Sequence, residues 1–238
     1  MEASHCLSKP RSALQYKPVH TSGSVDPKYH LCGSIILLYF IYHVSLFRSS
    51  NANRALVSLL AKLFCFGTST TCHYMLDSAK QLPSFYILLD HIEIILHIWG
   101  TSVSVLLLET TGSGNINYIV LGVTLGGVLC ATYLITWPRE KNERVLVAGG
   151  FGGLASCSVS IYNAIFSSIS RLTASYIFMG LVNGIGGWLY SRGSKQVLSQ
   201  RSPKSFTVSG HLLMHLCSLI SSVFHATILV SSVCICQT

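Results

Sequence analysis

The twenty residues from Tyr118 to Trp137 contain no Lys, Arg, Asp or Glu, and six further stretches are almost as apolar. A helix of about 20 residues crosses the roughly 30 Å hydrocarbon layer of a bilayer. The seven stretches are Leu31–Phe47, Ala55–Cys72, Phe85–Leu108, Tyr118–Trp137, Val145–Phe166, Ala174–Tyr190 and Val208–Cys236. Over all 238 residues only 10% are charged, 50% are hydrophobic, and the mean hydropathy is +0.53. Soluble domains carry about 25% charged residues, so a soluble globular enzyme is excluded, as is a disordered chain. In lipid every backbone polar group must bond internally, and the stretches are too long and too irregular for barrel strands. The expected fold is therefore all-α, a polytopic membrane protein of seven transmembrane helices. Residues 1–30 form a polar N-terminal segment and residues 31–236 the transmembrane domain. The N-terminal segment has no apolar core of the signal-peptide kind, so the first helix is expected to serve as its own insertion signal.

The net charge of +8 does not point to nucleic acid, because the basic residues sit between apolar blocks and read as loop charges at a membrane surface. With a cytoplasmic N-terminus, twelve of them fall on the inner side, from Lys9 to Lys204. Four, Arg48, Arg54, Lys62 and Arg171, fall on the outer side or at outer helix ends. That excess predicts the N-terminus inside and the C-terminus outside. Most of the nine cysteines lie within apolar segments, and no CxxC pair suggests a redox motif or a cysteine-based zinc site.

Ionisable and metal-ligating residues are expensive inside a membrane and mark functional sites there. In this orientation Ser69 and His73 sit at the inner end of helix 2, Asp90 near the inner end of helix 3, and His211 and His215 at the inner start of helix 7. His211 and His215 are four residues apart and share a helix face. Two such imidazoles and His73 suit one zinc ion and leave its fourth position open, as catalytic sites do. Asp90 is then placed to act as general base, and Ser69, one turn before His73, to orient a ligand, a water or a substrate carbonyl. Asp90, Glu93 and His97 also form a polar stripe along helix 3, read either as interhelical hydrogen bonding or as the lining of a cavity. His225 is expected to be structural.

Three blocks of residues carry a family resemblance. They are Ser69-Thr-Thr-Cys-His73, Leu89-Asp90-His91 running to Gly100-Thr101, and Gly210-His211-Leu-Leu-Met-His215 followed by Phe224-His225. Together they resemble the progestin and adipoQ receptor / hemolysin III family over residues 30–232, and the alkaline ceramidases look similar in the same pattern. The resemblance implies zinc on His73, His211 and His215, with Asp90 and Ser69 beside it. Leu212 departs from the Glu often found there in hemolysin III members. Trp99 and Ser102–Ser104 depart from the usual end of helix 3, and the acidic segment before helix 1 is missing. These departures leave the branch and the substrate open.

The function expected is a zinc-binding seven-helix receptor, or a zinc-dependent hydrolase of a lipid amide or ester, in the plasma membrane or an endomembrane such as the Golgi. Its partner would be a membrane lipid or lipid-like ligand. Two other classes stand beside it. One is a non-catalytic receptor or scaffold in which zinc only staples helices, and the other a pore or ion transporter using Asp90, Glu93 and His97.

Overall fold

A computed structural model describes residues 28–78, 84–109, 116–136, 141–166, 169–196 and 210–235, apart from the side chains of a few helix residues, His211 among them. Among the described residues there are seven α-helices. They are α1 (Lys28–Ser45), α2 (Ser50–Ser78), α3 (Ser84–Glu109), α4 (Ile116–Thr136), α5 (Lys141–Phe166), α6 (Arg171–Gln196) and α7 (Gly210–Ile235). Each coincides with one of the apolar stretches to within a few residues, so the all-helical polytopic plan is as expected. Six are long and apolar enough to cross a membrane. The seventh, α1, has 18 residues and opens with Lys28, Tyr29 and His30, so its first turn is polar and begins ahead of the apolar stretch at Leu31.

The helices close a ring in which α1 packs on α2 and α7, α6 on α5 and α7, and α3 on α2, α4, α5 and α6. α3 is the central element, with 61% of its span buried against 17% for α4, which lies outside on α3 and α5. The outer surface is apolar: Tyr118, Leu129, Leu146 and Leu154 are among its most exposed side chains. Lipid gives helices no hydrophobic reason to associate, so close packing of small residues and hydrogen bonds must do it. Gly100 lets α3 touch α2, since a Cβ there would lie 2.5 Å from the Ala61 Cβ and 3.2 Å from the Val57 carbonyl oxygen. Ser102 Oγ and Tyr176 Oη lie 2.6 Å apart and tie α3 to α6. Hydroxyls on the outer faces return to their own helix, as Thr71 does to the Gly67 carbonyl and Thr227 to Val223, which spares lipid an unpaired polar group.

One charge lies elsewhere than expected. Lys62 is not an outer-end residue: it sits within α2, fully buried against α3, where its ammonium donates to Ser58 Oγ at 2.6 Å and Thr101 Oγ1 at 3.0 Å. Counting it among the loop charges took account of its sign and ignored the polar face it belongs to.

Candidate metal centre

Three imidazoles converge at one end of the bundle. His30 comes from the first turn of α1, His73 from the C-terminal part of α2, and His215 from the second turn of α7. Antiparallel neighbours bring such positions together, because the start of one helix faces the end of the next. Gly33, one turn beyond His30, lets α1 settle between α2 and α7. A Cβ there would meet Leu219 Cδ1 at 2.8 Å and the Phe66 ring at 3.2 Å.

The rings are tightly grouped. His30 and His73 are stacked with centroids 5.3 Å apart, and His215 stands edge-on to both, 4.2 Å from His30 and 5.0 Å from His73. One ligand nitrogen from each lies within 4.8 Å of the others. All three residues are buried, with exposures of 3%, 7% and 7%. Among the described residues neither ring nitrogen of His30 has a hydrogen-bond partner. Such an unpaired group costs roughly 1–3 kcal/mol, a cost a bound cation would remove. The donor set fits a metal. Three neutral imidazoles around one point suit tetrahedral zinc with Zn–N bonds of about 2.0–2.1 Å. The cluster is thus able to hold a metal ion.

Of the residues expected at a site, His73 and His215 are brought together here. His211 lies in the first turn of α7, one turn before His215, and its side chain is outside the described residues. Ser69 is buried on α2, one turn before His73. Asp90 is half-buried on α3 and outside the three-histidine group. It faces Glu93, which also faces Thr68 and Cys65 of α2. Beside these carboxylates a groove of about 280 Å³ opens between α2 and α3, with Phe64, Thr68, Cys72, Tyr86 and Leu89 in its walls.

His30 is the residue that sequence reasoning missed. Hydropathy set the helix start at Leu31 and left His30 in the polar segment. The signal was its nearness to that start: a His within one turn of an apolar run falls at the same membrane depth as others at matching helix ends. His225 takes the structural role expected of it in part, with Nδ1 2.9 Å from Ser175 Oγ of α6.

A comparison with curated proteins gives no match. The family model described as haemolysin-III related matches residues 27–226, which covers α1 to α6, most of α7 and every residue of the cluster. The chain belongs to the haemolysin-III related family.

Proposed function

We propose that this membrane protein binds zinc and hydrolyses an amide or ester bond of a membrane lipid at that centre. The observation that carries the reading is the meeting of His30, His73 and His215 donor atoms within 4.8 Å inside an apolar bundle. His73 and His215 belong to every version of the site. His30 is the third donor that geometry supports, and His211 the one that family resemblance supports. The difference has a chemical consequence. Three histidines leave one tetrahedral position for water, whereas four would close the ion and make it a staple.

Bound zinc would supply Lewis acidity and an activated water at neutral pH. The chain's own residues have separate tasks. Asp90 is the general base that the family resemblance supports, and its carboxylate would hold a proton during hydrolysis and return it to the leaving group. The Ser69 hydroxyl, one turn from His73, orients the substrate carbonyl. The groove between α2 and α3 admits an acyl chain sideways from the lipid, next to the Asp90–Glu93 pair, so the substrate need not leave the membrane. Phe64, Tyr86 and Leu89 offer the chain an apolar wall.

Metal analysis of the purified protein, alongside turnover of a ceramide-like lipid amide in mixed micelles, tests this. About one zinc per chain, lost in His73→Ala and His215→Ala together with turnover, is the expected result. Absence of metal from the wild type would end the reading. Metal without turnover on any lipid amide or ester would leave the staple and receptor form of the site.

A further inference from the structure

The interface of α2 and α3 holds a file of polar groups separate from the histidine cluster. On α3, Asp90, Glu93, His97, Thr101 and Ser104 follow one another by three or four residues and therefore share a face. On α2, Arg54, Ser58, Lys62 and Cys65 do the same. The two faces meet in register. Ser104 Oγ donates to the Arg54 carbonyl at 2.8 Å, Ser58 Oγ to Thr101 Oγ1 at 3.4 Å, and Cys65 Sγ to Glu93 Oε1 at 3.9 Å. Between these contacts lies Lys62, bonded to Ser58 and Thr101. At a rise of about 1.5 Å per residue the stretch from Asp90 to Ser104 covers about 21 Å, most of the thickness of the hydrocarbon layer.

Several members have unused valence. Among the described residues Glu93 Oε2, His97 Nε2 and His225 Nε2 have no hydrogen-bond partner. Their residues are only 2%, 5% and 0% exposed. Lys62 is fully buried, and among the described residues no carboxylate forms an ion pair with it. The titratable groups around it are Cys65 on α2, His97 on α3 and His225 on α7, with Tyr176 of α6 behind His225. So many buried donors and acceptors without protein partners have no packing rationale, and ionisable residues kept inside a membrane serve proton relays and ion paths.

We propose that this file carries protons through the bundle, with Lys62 as a station every proton must pass. The protonated Glu93 carboxyl gives its proton to His97 Nε2, through one water where the gap requires it, and is left as carboxylate until the next proton arrives from Asp90. His97 passes a proton through a bridging water to the neutral Lys62 amine, since no direct hydrogen bond joins the two, and its ring returns to its starting tautomer. The ammonium then releases a proton to the Thr101 hydroxyl, which hands on its own toward Ser104. Each group ends as it began, and one proton has moved. While a proton rests on Lys62 its ammonium repels sodium and potassium, and the Asp90 carboxylate opposes anions at its end of the file.

The test uses the full chain in liposomes with a trapped pH dye, a potassium gradient and valinomycin. The wild type is expected to move protons faster than empty liposomes. Lys62→Met and His97→Gln should each reduce the flux to that of empty liposomes, and Thr227→Ala, on the exposed face of α7, should leave it intact. Should Lys62→Met fail to give a monodisperse protein, Glu93→Gln and His97→Gln decide in its place. No wild-type flux would overturn the proposal, as would flux unchanged in His97→Gln, or equal conductance of sodium.

Discussion

The imidazole of His30 stands edge-on to that of His215, with ring centroids 4.2 Å apart and planes at 84°. That contact joins α1 to α7, and His73 brings in α2. Three helices are thereby linked through side chains whose common chemistry is metal ligation.

His30→Ala decides the composition of the centre. It is expected to weaken zinc binding by more than the roughly 10–100-fold that losing an outer hydrogen-bond partner of a ligand costs. His211→Ala, titrated beside it with a competing chelator, separates the two versions. If only His30→Ala loses metal, the ion has an open position. If both do, four histidines enclose it.

Asp90→Asn keeps the size of the side chain and removes the base. Zinc content should stay at the wild-type level, while turnover of a lipid amide falls by about 10²–10⁴-fold, the usual range for a lost acid–base group. Loss of the metal in this variant would make Asp90 a ligand instead.

Gly100→Ala tests the close contact of α2 and α3. The added methyl would lie 2.5 Å from the Ala61 Cβ, a fixed atom that no rotamer change can move. Thermal unfolding in detergent should fall by an amount equivalent to about 1–3 kcal/mol, the usual cost of overpacking. Ala61→Gly in the same chain should recover part of it, and an unchanged midpoint in the single variant would contradict the packing described.

Tags at the two ends, probed in selectively permeabilised cells, should report opposite sides of the membrane, with the N-terminal tag in the cytosol. With Lys62 withdrawn from the count, the outer side keeps only Arg48, Arg54 and Arg171, so the charge asymmetry grows. Tags on one side would mean that one of the seven helices does not cross, and α1 is the shortest of them.

The helices were legible because length and the lack of charge are local properties that the bilayer enforces on each span separately. His73 and His215 were legible too, since the alternation of seven spans puts the end of helix 2 and the start of helix 7 on the same side. His30 and Lys62 were not, for opposite reasons. A hydropathy boundary hides a polar residue in the first helical turn, and a charge count treats every lysine as solvated. The spacing of Arg54, Ser58, Lys62, Cys65, Ser69 and Cys72, three or four residues at each step, did mark one polar face on α2. What that face meets was not available from α2 alone, because the register of α3 depends on where Gly100 allows it to approach.

The placement of the histidine cluster also bears on biosynthesis. α1 and α2 emerge from the ribosome long before α7, so His30 and His73 wait beside each other while most of the chain is still being made. The cluster is complete only when His215 arrives, so any ion it holds is captured after the last helix has been made.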